Sequence, residues 1–170
     1  VEKMEKAWHM ENFTGRLSRG KWRAMVDFAE NMRPADLREI AAYEDGHPLR
    51  QVAISQEKSE ECWMVYDAAN KPIVFFGRVV PEDTYGRLIW CLGTKGIAGY
   101  ERPFARVSKR ILEEWAKRYE VLFNAVGTFN ADAIRWLKWC GAIFYDPFAV
   151  GEEPFLRFCI KRREERTCAE

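Results

Sequence analysis

The stretch RLIWCLGTKGIAGYERPFARVSKRILEEWAKRYEVLFNAVG, residues 87–127, decides the fold. Its opening run, RLIWCL at 87–92, is mostly apolar, which is the pattern of a central strand covered on both faces. Phe104, Val107, Ile111, Leu112 and Trp115 then recur at three- and four-residue spacing, one face of a helix beginning near Pro103. EVLFNAVG at 120–127 returns to strand character. A strand, an amphipathic helix and a strand in that order predict two parallel neighbours joined by a right-handed crossover.

On the N-terminal side, residues 12–17 read as a short first strand. Trp22, Met25, Val26, Ala29 and Met32 mark a helix over 21–32. Pro34 opens a second helix over 34–43, with Leu37, Ile40 and Ala41 inward. A third helical piece covers 49–55, after the punctuation of Gly46 and Pro48. Residues 61–66 and 72–80 form a hairpin turned around Asn70, and the polar run 81–86 is a further turn. On the C-terminal side, Asn130 caps a helix to Trp139 with Ala133, Ile134 and Leu137 inward, and Gly141 ends it. Residues 143–145 and 155–160 are closing strands. The fold class is therefore α/β: a mixed sheet, mostly antiparallel, with one parallel strand–helix–strand crossover and helices on both faces. The domain spans 12–161, between an N-terminal extension at 1–11 and a charged tail at 162–170.

One domain of 170 residues can bury a core without a metal or disulfide scaffold. Lys+Arg number 27 against 26 Asp+Glu, and this balance argues against a generic nucleic-acid or membrane-surface binder. No apolar run approaches the roughly 20 residues of a membrane span, and no secretory signal is expected. The chain begins at Val1; a valine start codon and a trimmed chain are both open, and Met4 and Met10 are alternative starts. The cysteines at 62, 91, 140, 159 and 168 are odd in number and include no C-x-x-C pair, so neither a disulfide framework nor a zinc site is expected. His9 and His47 are too few for a histidine-based metal site or a serine–histidine triad. The expected compartment is a reducing cytoplasm.

Candidate chemistry concentrates at the carboxyl end of the first parallel strand, where ligands favour open α/β sheets. Leu92, Gly93, Thr94, Lys95, Gly96, Gly99 and Arg102 lie there, ahead of a helix. Amides and the helix dipole favour an anion, Lys95 and Arg102 add charge, and Gly96 and Gly99 would admit a phosphate. The alternative is a plain glycine-bearing connection. Asn124, on the second parallel strand, lines the gap if those strands splay; Asn130 reads as a helix cap worth about 1 kcal/mol. Arg33, Asp36 and Glu39, three residues apart, either offer a carboxylate pair for acid–base work or, as the preferred reading, form a surface ion-pair cluster. Arg16, Arg19, Lys21 and Arg23 beside Trp22 form a basic run, read as a solvated edge rather than a nucleic-acid or acidic-partner contact.

The order of elements resembles the GNAT N-acetyltransferases, whose last helix opens on Asn and closes on Gly as NADAIRWLKWCGAIF does at 130–144. A narrower resemblance is to a bacteriophage GNAT-like family that includes the small internal virion protein of short-tailed phages. It rests on MRPADLREIAA (32–42), SEECWMV (59–65), FFG (75–77), IWCLGT (89–94), LFNAVGTFNADAIRWLKWCGAIF (122–144) and PFLRF (154–158), in order over about residues 18–160. Two departures from active GNAT enzymes stand out. The pyrophosphate-binding R/Q-x-x-G-x-G/A spacing is absent from Lys95–Gly96–Ile97–Ala98–Gly99–Tyr100–Glu101–Arg102, and Pro103 removes one N–H. The position of the tyrosine that protonates the departing thiolate holds Leu137, and the usual aromatic after the closing Gly is Ala142.

The resemblance implies a phage-encoded GNAT-fold protein with a degenerate acetyl-CoA site, acting in the virion, in assembly or on a host protein. It would work in the host bacterial cytoplasm or the particle, and Trp-rich surfaces suit such contacts. The alternative is an active N-acetyltransferase using acetyl-CoA and no metal. There, amides near Leu92–Thr94 would hold the oxyanion, Glu39 or Glu82 would act as base through water, and Tyr100 or Tyr145 would substitute for the missing tyrosine. A third reading is a regulator binding a host protein or nucleic acid through the basic run.

Overall fold

The computed structural model describes residues 7–43 and 45–163. Among the described residues seven strands form one sheet, in the order β1-β2-β3-β4-β5-β7-β6. They are β1 (His9–Asn12), β2 (Ser59–Tyr66), β3 (Pro72–Val79), β4 (Arg87–Gly93), β5 (Val121–Gly127), β6 (Ile143–Val150) and β7 (Glu153–Lys161). The helices are α1 (Arg19–Glu30), α2 (Pro34–Ala42), α3 (Pro48–Lys58), α4 (Glu101–Tyr119) and α5 (Ala131–Trp139). Only β4 and β5 pair in parallel; every other neighbouring pair is antiparallel. The crossover through α4 is thus in place, and the sheet class read from the sequence holds.

Two elements differ from expectation. The first strand is His9–Asn12, pairing with Trp63–Tyr66, and not 12–17. Phe13 onward instead turns away from the sheet: the Phe13 amide still donates to Cys62 O, but Gln56 Nε2 donates to the carbonyls of Phe13 and Gly15, and Gly15 has φ +79°. The closing strand β6 runs on to Val150 through an irregular register between Phe144 and Pro147, where proline is tolerated on a sheet edge.

Strand alternation divides the core into two layers. On one face Met25 and Phe28 of α1, Ile40 of α2 and Val52 of α3 pack on Cys62, Met64 and Phe75. On the other, Phe104, Leu112 and Trp115 of α4 and Leu137 of α5 pack on Val65, Phe76, Leu122 and Phe158. The α4 stripe matches the periodicity of its sequence, with Phe104, Leu112 and Trp115 all buried. The apolar residues Leu88, Trp90, Cys91 and Leu92 of the central strand are only half-buried, because a cavity lies against them.

Candidate active site

The parallel pair is short. Its register covers only Arg87 against Leu122 and Leu88 against Phe123; beyond these residues the strands part. Side chains occupy the fork where ladder bonds would continue. Asn124 Nδ2 donates to Ile89 O at 2.6 Å, while its Oδ1 accepts from the Ala125 amide at 2.7 Å. At the far end, Gly93 N donates to Asp36 Oδ2 and Gly127 N to Glu39 Oε1, each at 2.8 Å. A cavity of about 690 Å³ fills the space between. Its walls include Glu39, Tyr43 and Ser55 on the α2–α3 side and Ser108, Ala133 and Trp136 on the α4–α5 side, so it crosses the sheet through the fork.

Helix α2 holds the fork open. Asp36 and Glu39 are one turn apart, so each carboxylate reaches the end of a different strand. Asp36 is 1% exposed and takes Arg33 through Nε at 2.9 Å and Nη2 at 2.8 Å. Asn130 Nδ2 donates to Glu39 Oε1 at 2.9 Å and lies 3.4 Å from Asp36 Oδ1, and Asn130 Oδ1 caps α5 at the Ala133 amide. The surface ion-pair reading of Arg33, Asp36 and Glu39 is therefore corrected: the cluster is an internal clamp. Its carboxylates are drawn inside because two strand ends present amides that a parted sheet leaves without partners. Burial pushes the Glu39 carboxyl up from its ordinary range, with Asp36 adding to the rise; Asn130, Gly127 and Arg33 oppose it. Both donations to Glu39 fall on Oε1, and no described residue takes Oε2.

Backbone edges decide where a developing negative charge could be held. Ile89 O and Gly93 N both point to the fork, so strand alternation sets the Cys91 N–H on that same edge, between them. By the same alternation Leu92 N faces β3. Gly93 N is taken by Asp36 and Thr94 N by Ile73 O at 2.9 Å. The oxyanion amides expected over Leu92–Thr94 are thus engaged, and the one facing the cavity belongs to Cys91. The Cys91 thiol itself is pushed up to about 12 by burial, with Asp36 adding to the rise, so it is no nucleophile at neutral pH.

The loop before α4 differs from the expected anion cradle. A 3-10 turn spans Lys95–Ile97. The amides of Lys95, Ile97, Ala98 and Tyr100 bond to the carbonyls of Asn31, Thr94, Lys95 and Ile97. Gly96 N donates to Thr94 Oγ1 at 3.1 Å, and Gly99 N to Glu101 Oε2 at 2.7 Å. The glycines have packing and turn reasons: a Cβ on Gly96 would stand 2.9 Å from Ile73 Cγ2, and Gly99 has φ +87°.

Of the cofactor-binding candidates, Leu92, Asn124 and Asn130 line the cavity, whereas Gly93, Thr94, Lys95, Gly96, Gly99 and Arg102 stand outside its walls. Among the catalytic candidates Glu39 and Glu82 line it, the latter from the exposed β3–β4 turn. Tyr100 does not; its hydroxyl accepts the Ala68 amide at 3.3 Å. Tyr145 lies 3.3 Å from Cys159 Sγ at a smaller cavity on the β6 side. Leu137 lines the main cavity at the position of the absent tyrosine. Sequence reasoning missed the Cys91 amide, Ser108 and Trp136. Trp136 Nε1 donates to Ser108 Oγ at 3.0 Å and the indole stacks on Phe104, which joins α4 to α5. Among the described residues no group of three His, Cys, Asp or Glu side chains could hold a metal.

No family model and no curated protein sequence matches the chain. Solved structures do. The spermidine N-acetyltransferase of Vibrio cholerae, in complex with CoA and spermine, superimposes with a TM-score of 0.60 at 17% identity, over 91% of this chain and 95% of that one. An acetyltransferase of the GNAT family from Bacillus anthracis gives 0.62 at 9% identity, over 86% and 92%. The ribosomal-protein-S18-alanine N-acetyltransferase of Escherichia coli gives 0.60 at 13% identity, over 96% and 100%. With the forked parallel pair and the two helical layers already in view, these likenesses over nearly the full length show that the chain carries the GNAT acetyltransferase fold.

Proposed function

We propose that the protein is an N-acyltransferase that moves an acyl group from a thioester to an amine inside the fork. The observation that carries this reading is the shared cavity, in which the unpaired edge of β4 presents the Cys91 amide and α2 presents the Glu39 carboxylate. A thioester lying in the fork would set its carbonyl oxygen against Cys91 N–H. The amine, entering from the α2–α3 side, would attack the carbonyl carbon and form the C–N bond. Glu39, whose carboxyl burial makes a stronger base than an exposed carboxylate, would take the proton that the nitrogen loses. The C–S bond then breaks, and the oxyanion that Cys91 N–H had held returns to a carbonyl. The thiolate would leave between α4 and α5 and take its proton from solvent, since Leu137 has none to give.

Coenzyme A fits in part. The fork has room and an apolar wall for a thioester-bearing arm, but the loop at Lys95–Tyr100 offers no free amides for a pyrophosphate. That closed loop favours the second reading, a GNAT scaffold without turnover that serves particle assembly or host interaction in a bacteriophage. Support for the phage setting, in the virion or the infected cell's cytoplasm, comes from the sequence resemblance alone.

The test is release of free thiol from acetyl-CoA and from acetyl-phosphopantetheine in the presence of a panel of primary amines. General-base catalysis is worth about 10²–10⁴-fold, so Glu39→Gln is expected to slow release by at least about a hundredfold. Binding of both donors without amine-dependent thiol release would favour the scaffold reading.

A further inference from the structure

We infer that the site recognises the pantetheine arm of its donor and not the nucleotide that the arm is attached to in coenzyme A. The inference rests on the acyltransferase reading and names its donor class: acyl-pantetheine thioesters, whatever head they carry.

Three observations lead there. First, the six consecutive amides from Lys95 to Tyr100 all have acceptors within the protein, so a diphosphate at this loop would find no N–H to take. A phosphate bound there would first have to break those bonds, which offsets part of what its new contacts return. Second, the head of α4 already holds an anion of its own. The Glu101 carboxylate stands in the first turn of the helix and takes Gly99 N at 2.7 Å. That carboxylate already occupies the Gly99 amide at the positive end of this helix, and a phosphate would have to displace it. Pro103, the third helical residue, contributes no amide. Third, the cavity wall stops short of the loop: it includes Ser108 and Trp136 but none of the residues from Gly93 to Arg102. The cations nearby do not replace the cradle. Lys95 and Arg102 are exposed, and exposed charges contribute little to holding an anion at physiological salt.

The experiment compares the affinities of acetyl-CoA and acetyl-pantetheine, which lacks the phosphates, by isothermal titration of the full chain. The expected result is dissociation constants within threefold of each other. Acetyl-CoA binding more than threefold tighter would overturn the inference. Glu101→Ala frees the Gly99 amide; it is expected to tighten acetyl-CoA by fivefold or more while leaving acetyl-pantetheine within twofold. An equal effect on both donors would also overturn the inference, because the carboxylate would then not stand against the nucleotide half. Should neither donor bind at millimolar concentration, the acyltransferase reading itself falls, and this inference with it. Donor-independent failure to release thiol after normal binding would instead remove the chemistry and leave the recognition of the arm standing.

Discussion

Replacing Asp36 by alanine should be among the most damaging single changes in the domain. The carboxylate is 1% exposed and satisfies Arg33 through two bonds, Gly93 N through a third, and lies within reach of Asn130. Removing it leaves a buried backbone donor unpaired, at about 1–3 kcal/mol. It also strands the Arg33 guanidinium. A fully buried pair broken on one side costs about 3–5 kcal/mol, but the Arg33 side chain is 21% exposed and water recovers part of that. The two losses share partners and do not simply add, so the expected total is about 3–4 kcal/mol. At about 2–4 °C per kcal/mol for a domain of this size, the melting temperature should fall by roughly 6–16 °C in differential scanning calorimetry. Asp36→Asn keeps the shape and an acceptor and should fall by about half as much. Asp132→Ala, which removes a surface partner of Arg135, should change stability by less than about 0.5 kcal/mol. An Asp36→Ala protein melting within about 2 °C of the parent would refute the clamp.

Glu39 gives a pH signature. Its carboxyl titrates higher in the folded chain than the ordinary value of 4.5, so the folded state binds the proton more tightly. Its contribution is fully present below about 4.5 and is lost as pH rises through the raised value; stability relative to Glu39→Gln should therefore decline over that window in urea unfolding. A flat difference across that range would contradict the assignment. Cys91, Cys140 and Cys62 are all held up by burial, to about 12, 12 and 11, so iodoacetamide at pH 7.5 should leave them unmodified in peptide mapping until denaturant is added. Labelling of Cys91 in the native protein at the rate of a free thiol would overturn this. Gly86→Ala should destabilise by at least about 2 kcal/mol, because Gly86 has φ +86° and an added Cβ would run into Val121 O and its side chain. Retention of the parent's urea midpoint would show that the start of the parallel pair can shift.

The crossover was legible in residues 87–127 because its two signals are local: an apolar strand run and a 3–4 helical stripe each depend on near neighbours. The parting of the strands was not, since the residues that fill the fork come from α2 and from the cap of α5. The one sequence clue lay in α2. Asp36 stands four residues before the buried Ile40, on the same face of the helix, so an inward carboxylate was already implied by the spacing. Acidic pairs three residues apart are far more often solvated, which makes a surface cluster the default reading of the spacing. The loop glycines misled in the opposite sense. Gly96 and Gly99 have the chemistry of a phosphate loop, but the bonds that close it depend on Thr94 Oγ1 and on the Glu101 carboxylate turning back, which no spacing rule encodes. The first strand precedes the expected 12–17 because Phe13, the most conspicuous apolar residue there, belongs to the core beneath the sheet rather than to the ladder.

The bonds that set the fork tie together parts of the chain far apart in sequence: Gly93 to Asp36 across 57 residues, Gly127 to Glu39 across 88, Asn130 to Asp36 across 94. Such contacts form only after long loops have closed, late on any folding route. The opening therefore has no local rehearsal. A fragment comprising the crossover alone would contain both strands and lack the helix that keeps them apart, and their exposed edges would be free to zip together or to recruit a neighbouring chain.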